Sequence, residues 1–220
     1  FRPFASGKVS LHQGFMLILL LAFATLLICT QMPALFNVAL MTYTVVTLLY
    51  SFLLKQIASL DILCLASLYT IRVIAGAFAI EVALSFWLLA FSMFLFLCLG
   101  IVKRVSELKN LEKTNTQKAR GRGYTISDIQ VLKSLGASSG YIAVLVFALY
   151  INSNLTHSLY QSPTILWLLC PLLLYWVTRI WMLTARSEMD EDPIVFAITD
   201  KTSWVIVFLS TILLVLAKYV

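Results

Sequence analysis

Apolar residues run along this chain in long blocks, separated by brief polar punctuation. From Val9 to Leu54, 46 consecutive residues carry no Asp, Glu, Lys or Arg, and from Ser134 to Thr178 another 45 carry none. Val82–Val102 adds 21 and Thr202–Ala217 adds 16. A helix that crosses a bilayer needs about 20 apolar residues, so each long block holds two helices and a turn. The first block breaks at Thr30-Gln31-Met32-Pro33 and the second at the polar stretch Asn152 to Pro163. A further segment, Ile62–Ile80, is interrupted only by Arg72. The pattern predicts seven spans, near residues 13–30, 34–50, 61–80, 83–101, 137–152, 163–184 and 203–219. Barrel strands alternate over about ten residues, whereas these runs are continuous, so the expected class is an all-α integral membrane protein.

Composition agrees with that class. Hydrophobic residues make up 61% of the chain and charged residues 12%, and mean hydropathy is +0.94. Soluble domains carry roughly 45–50% apolar and about 25% charged residues, so this chain cannot cover a water-soluble globule. Disordered, collagen-like and disulfide-stapled chains are excluded by the same figures. Cys29, Cys64, Cys98 and Cys170 each lie within an apolar span, without metal-binding spacing, and read as small core or lipid-facing residues. His12 and His157 are isolated near span ends. No secretory signal is visible, and the opening Phe1-Arg2-Pro3 suggests a chain that starts partway through a longer protein.

The net charge is +6, and its placement is more informative than its size. With seven spans, the N-terminal tail and the segments 51–60, 102–136 and 179–202 share one side, which receives fourteen of the sixteen basic residues. The positive-inside rule makes that side cytoplasmic. Its charge suits anionic lipid or a phosphorylated substrate, and no nucleic-acid-binding fold accompanies it. Glu188, Asp190, Glu191, Asp192 and Asp200 crowd onto the same side. Both signs on one face of a lipid-embedded bundle suit a metal–phosphate complex, while plain loop solubility is the simpler alternative.

Three charged constellations follow. Tyr50-Ser51, Lys55, Asp61 and Arg72 form the first. Asp61 and Arg72 are eleven residues apart, so they lie within about 20° of each other around a helix. A cation three turns deep costs at least a few kcal/mol and should face the interior with a partner; Gly76 would admit a close neighbouring helix there. These two residues make either a working site or a structural ion pair. The second constellation is Lys103-Arg104-Val105-Ser106-Glu107, in which Lys103 and Glu107 are spaced as a helical i,i+4 pair. The third runs from Arg179 through Arg186 and Asp192-Pro193 to Asp200-Lys201, either a solvated acidic loop or a substrate clamp. Lys118 to Tyr124 is a basic, glycine-broken loop, and Thr125-Ile126-Ser127-Asp128 reads as a helix-capping region. No Walker loop, HExxH or nucleophile–His–Asp set is present.

Taken together, these motifs resemble the UbiA-type intramembrane prenyltransferase superfamily. Phe1-Arg2-Pro3-Phe4-Ala5-Ser6-Gly7 is similar to the RPxASG that follows its NDxxDxxxD segment. The spacings Tyr50-Ser51-x3-Lys55-x5-Asp61, Arg72-x3-Gly76, Lys103-Arg104-x2-Glu107-Leu108 and Asp192-Pro193-x6-Asp200 look like the decaprenyl-phosphate phosphoribosyltransferase branch. The Gly121-Arg122-Gly123-Tyr124 loop and Leu174-Tyr175-Trp176-x2-Arg179 resemble bacterial members carrying an N-terminal phosphatase-like domain. Two departures stand out: Val105 occupies a position that is usually Tyr, and the second aspartate motif of aromatic prenyltransferases is not recognisable at 103–107.

The resemblance implies one transferase domain over 1–220, comprising seven spans of a nine-helix bundle whose N-terminal part lies upstream. It implies a Mg²⁺-dependent enzyme of the bacterial inner membrane with its active site facing the cytoplasm. The expected substrates are a polyprenyl phosphate or diphosphate and a phosphorylated donor. Phosphoribosyl transfer to a polyprenyl phosphate is the first expectation, prenylation of a small acceptor the second. A transporter or lipid scaffold gated by Asp61 and Arg72 is the rival of another class. Both transfers break a C–O bond to diphosphate, where cations must meet growing negative charge. Lys55, Arg72, Lys103 and Arg104 are expected to hold phosphate, with Arg2 and Lys8 at the edge of the first motif. Arg122, Tyr124, Arg179, Asp192 and Asp200 complete the expected substrate contacts. Asp61 and Glu107 are the expected catalytic carboxylates, orienting these cations or acting as base. Glu107 is also a candidate Mg²⁺ ligand, the main ligands being expected upstream.

Overall fold

The computed structural model describes residues 10–113, 122–189 and 192–220. Among the described residues nine α-helices form: α1 (Leu11–Cys29), α2 (Ala34–Phe52), α3 (Leu60–Ala79), α4 (Phe86–Lys113), α5 (Ile129–Ile151), α6 (Asn154–Leu159), α7 (Leu169–Arg186), α8 (Pro193–Thr199) and α9 (Lys201–Tyr219). Seven of the described helical segments are long and apolar enough to cross a membrane, and they coincide in order with the seven predicted spans. Local chemistry sets their ends. Ser10 and Gln13 form a capping box at the start of α1, Pro33 precedes α2, and Asp200 accepts from the Ser203 amide to begin α9. The expected cap at Thr125–Asp128 is also present: the Asp128 carboxylate accepts from the Thr125 amide at 2.8 Å.

Two boundaries differ from the sequence expectation. Helix α4 does not stop near residue 101 but runs unbroken for 28 residues to Lys113, and α5 begins at Ile129 rather than 137. Charge marks where apolar sequence stops, not where a helix stops. Val105 and Leu108 are fully buried on one side of the charged turns, and that burial carries the helix onward. The polar break after Asn152 likewise contains a short helix, α6.

Helix α4 is the hub. It packs along α3 and α5 and touches α7 and α8, while α2 lies on α3 and α9 on α7. Buried side chains form three clusters. One joins α3, α4 and the start of α5 around Ile62, Val105 and Tyr124; a second joins α5, α7 and α9; a third joins α4, α7 and α8 around Val102, Ile180 and Phe196. Trp181 packs against all three.

Close helix contact depends on glycines other than the one expected. At Gly136 a Cβ would lie 2.3 Å from the Trp181 ring and 2.8 Å from Ile101, and at Gly140 it would lie 2.6 Å from Val177. At Gly76, by contrast, it would meet nothing within 4 Å among the described residues. The stripe that admits a neighbour is therefore on α5, where α4 and α7 converge. Gly136→Ala should lower the thermal midpoint of the detergent-purified protein, with an overpacking cost of about 1–3 kcal/mol. Gly76→Ala should leave that midpoint unchanged or raise it slightly, since alanine favours a helix over glycine.

Candidate functional site

The charged groups converge where α2 ends, α3 begins and α4 carries its last three turns. At the centre, Asp61 and Arg104 are fully buried, at 0% and 1% exposure. The Arg104 guanidinium meets the Asp61 carboxylate as a fork. Its Nε donates to Oδ2, and its Nη2 donates to Oδ1 at 3.1 Å. The Tyr50 hydroxyl closes the ring, donating to Asp61 Oδ1 at 2.9 Å and accepting from Arg104 Nη2 at 3.0 Å. A buried ion pair must offset the loss of hydration through good geometry and satisfied lone pairs, and this one has both. The remaining guanidinium nitrogen, Nη1, donates to Glu107 Oε2 at 2.5 Å.

A second arginine arrives from the loop before α5. Gly123 sits so tightly on the 56–59 turn that a Cβ would fall 2.6 Å from the Gln56 carbonyl and 2.8 Å from the Ala58 amide. Tyr124 is buried beside it, and its hydroxyl accepts from the Ser59 amide at 2.8 Å. Burial pushes that phenol above its usual range, although the Ser59 amide opposes the shift. Tyr124, expected to touch substrate, therefore pins the loop in place. The loop delivers Arg122, whose Nη2 lies 3.2 Å from Glu107 Oε1 and whose Nη1 lies 3.9 Å from Asp61 Oδ2. That Nη1 is buried without a hydrogen-bond partner.

Around this buried centre runs a half-exposed rim. Glu107 and Arg122 are 29% and 25% exposed, and Lys103 and Asp192 are 31% and 34%. Lys103 donates to Asp192 Oδ2 at 2.6 Å. The i,i+4 spacing of Lys103 and Glu107 does not become a bridge, because two guanidiniums take Glu107 and Asp192 takes Lys103. Beside Lys103 lies a narrow cleft between α3, α4 and α8, lined by Leu65, Tyr69, Phe96, Gly100 and Ile194.

Other expected residues stand apart from this centre. Asp61 and Arg72 share a helix face but not a contact, since eleven residues of helix separate them by about 16 Å. Arg72 is exposed on the described bundle. It donates to the Tyr43 hydroxyl at 2.5 Å and lies between the Tyr43 and Tyr69 rings, 5.0 and 4.7 Å from their centroids. Its partners are aromatic faces rather than a carboxylate. Lys55 is half-buried on the turn that follows α2. Arg179 forms a two-pronged bridge to Asp200 at 2.7 and 2.9 Å, and Asp200 also accepts from the Ser203 amide and hydroxyl. Arg2, Lys8 and the acidic pair Asp190-Glu191 lie outside the described residues. Sequence reasoning passed over Lys109, which donates to the Ala185 carbonyl at the end of α7. That carbonyl belongs to another helix, 76 residues away along the chain, so no spacing on α4 signals the contact.

Among the described residues, no three His, Cys, Asp or Glu side chains converge to hold a metal. Mg²⁺ is commonly held by one or two carboxylates together with substrate phosphates; within the rim Glu107 is the carboxylate that would join such an ion, sharing Oε2 with Arg104 and Oε1 with Arg122.

Comparison with known proteins adds a family. The model of the UbiA prenyltransferase family matches residues 1–212. The uncharacterized protein y4nM of Sinorhizobium fredii is 33% identical over 208 residues, covering 94% of this chain and 40% of the relative. Nodulation protein NoeC of Azorhizobium caulinodans is 31% identical, covering 93% of this chain and 66% of the relative. Decaprenyl-phosphate phosphoribosyltransferase of Mycolicibacterium smegmatis is 35% identical over 140 residues, covering 63% of this chain and 44% of the relative. The chain thus spans between two-fifths and two-thirds of the length of these relatives.

Two outcomes follow from the site's energetics. Asp61→Ala would leave Arg104 buried without its main counter-charge, a loss of about 3–5 kcal/mol, read as a fall in the unfolding midpoint in detergent. Asp192 and Asp200 set the acid limit of the α8–α9 region. Burial would raise both carboxyls, but Lys103 and the Ile194 amide outweigh it at Asp192, and Arg179 and Ser203 at Asp200, leaving both below the usual carboxylate range. A depressed carboxylate stabilises fully above its unfolded pKa and loses that contribution as the pH falls through its folded value. Thermal stability should therefore hold down through the ordinary carboxylate range and fall below it. The Asp192→Asn/Asp200→Asn variant should lack part of that acid step.

Proposed function

We infer that this chain, which belongs to the UbiA prenyltransferase family, is the membrane part of an enzyme that transfers a 5-phosphoribosyl group from phosphoribosyl diphosphate to a polyprenyl phosphate. The half-exposed rim of Lys103, Glu107, Arg122 and Asp192 at the aqueous end of a lipid-embedded bundle carries this reading. A phosphoribosyl donor is highly polar and needs fixed charges at a site open to water. A prenyl donor would ask mainly for an apolar tunnel beneath one diphosphate. The partial match to decaprenyl-phosphate phosphoribosyltransferases supports the same choice.

In this mechanism a phosphate oxygen of the lipid attacks C1 of the phosphoribosyl group. The bond from C1 to the diphosphate oxygen breaks, and its electron pair leaves with diphosphate. Positive charge develops on the ribosyl carbon and negative charge on the departing oxygens, where preorganised cations contribute most. Lys103 and Arg122 are the half-exposed cations that meet those oxygens. Arg104 has its nitrogens bonded to Asp61, Tyr50 and Glu107, so it acts by fixing Glu107. Asp61, with both oxygens engaged and no exposure, acts in turn by fixing Arg104. Glu107 is the carboxylate that would hold Mg²⁺, which when bound supplies charge neutralisation at the diphosphate. The concentration of basic residues on that side supports a cytoplasmic site, and the bacterial sources of the similar proteins support an inner membrane.

The full-length protein in detergent with Mg²⁺ should move label from phosphoribosyl diphosphate to a polyprenyl phosphate. Glu107→Gln and Lys103→Ala should each lower kcat/KM at least tenfold, about 1.4 kcal/mol of transition-state stabilisation. Label moving only from a prenyl diphosphate to a small acceptor would instead establish prenyl transfer. For sidedness, in a cysteine-free background in intact cells, Ser127→Cys should resist an impermeant thiol reagent and Asn154→Cys should react. The reverse labelling would place the rim on the outer face.

A further inference from the structure

The short helix α8 is fastened at its two ends by acid–base contacts of unequal strength. At its far end Asp200 is held by both prongs of Arg179, caps α9 through the Ser203 amide and accepts from the Ser203 hydroxyl. At its near end Asp192 makes one side-chain contact, from Oδ2 to the Lys103 ammonium, while Oδ1 accepts from the Ile194 amide. Lys103 and Asp192 are each about one-third exposed, and a single half-exposed Lys–Asp contact is weak. Arginine's planar fork fixes a carboxylate in two directions, whereas an ammonium is a point charge that changes partner easily. The cleft beside Lys103 has Pro193 and Ile194 of α8 as one wall and Tyr69, Phe96 and Gly100 as the other. Whatever moves the Asp192 end of α8 therefore changes the width of that cleft.

We propose that Asp192 masks Lys103 as a built-in competitor anion, and that a diphosphate displaces it, freeing the near end of α8 to swing about the Arg179–Asp200 clamp. The inference rests on the reading of Lys103 as a diphosphate-binding residue and adds how access to it is controlled. A carboxylate and a phosphate oxygen are interchangeable acceptors for an ammonium, and a diphosphate brings more charge than the carboxylate it replaces. The exchange leaves Asp192 still bonded to the Ile194 amide, so α8 keeps its cap and moves as a helix. The exposed apolar side chains Val195 and Ile198, together with Trp204 just beyond, give its outer face a lipid-compatible surface. The moving element thus stays at the membrane surface.

The test uses the full-length protein in a cysteine-free background carrying Ile194→Cys, with inorganic diphosphate and Mg²⁺ as the probe. Binding of diphosphate is followed calorimetrically, and exposure of the thiol by its rate of maleimide labelling. Diphosphate should raise the labelling rate at least threefold. Adding Asp192→Asn, which retains a helix cap but loses the charge, should raise the rate to the same level without ligand and tighten diphosphate binding severalfold. An Asp192→Asn protein that labels no faster than its parent would overturn the latch. So would bound diphosphate that leaves the rate unchanged or lowers it, and so would a protein that binds no diphosphate. A protein that shows the full labelling response yet transfers no phosphoribosyl group would retain the latch and lose the proposed reaction.

Discussion

The buried fork between Arg104 and Asp61 is the constraint on which the aqueous end of the bundle depends. Two charges without access to water are tolerable only where each finds its full set of partners, and that demand fixes several elements at once. Asp61 must begin α3 where α2 ends, so that Tyr50 reaches it; α4 must continue past its apolar stretch, so that Arg104 reaches it from the other side. Glu107 is aligned through Arg104, and Arg122 closes on Glu107 from a loop that Gly123 and Tyr124 fasten to the 56–59 turn. The rim side chains are thus set in place by the buried residues behind them.

Much of this was legible in the sequence. Four charge-free runs, two of them long enough for a pair of helices, and the segment broken only by Arg72 gave seven spans in the right order, because a bilayer leaves a polypeptide few other ways to satisfy its backbone. The grouping of Tyr50, Asp61, Arg104 and Glu107 at one end was legible for a similar reason, since charges can gather only where the membrane ends. Partner choice was not. Sequence spacing pairs Asp61 with Arg72 and Lys103 with Glu107, but spacing along one helix ignores what neighbouring helices offer. Arg72 is taken by Tyr43 and Tyr69, Lys103 by Asp192 from across a gap of 89 residues. Gly76 misled in the same way: small residues mark close approach only where another helix arrives, and α7 arrives at Gly136 and Gly140.

The two halves of the site also differ in burial, and so in what a substitution reports first. Asp61, Arg104, Tyr50 and Tyr124 are buried or bonded to one another, and substitutions there act first on folding. Lys103, Glu107, Arg122 and Asp192 are part-exposed, so their loss can be read in binding and turnover without first dismantling the bundle. A variant in the first group that loses activity therefore says little about the reaction, whereas one in the second says much.

Helix α4 is longer than the membrane it crosses. At about 1.5 Å per residue, its 28 residues span roughly 42 Å, against a hydrocarbon core about 30 Å thick. Counted from Phe86, Lys103, Arg104 and Glu107 lie about 26 to 32 Å along the rod, where the hydrocarbon gives way to the headgroups, and the surplus of about two turns runs on beyond them. A lipid-borne phosphate floats at a height set by the bilayer, while these side chains ride at a height set by a rigid rod. Membrane thickness thereby becomes a parameter of the site: a thicker bilayer would sink the rim beneath the headgroups, and a thinner one would strand it above them.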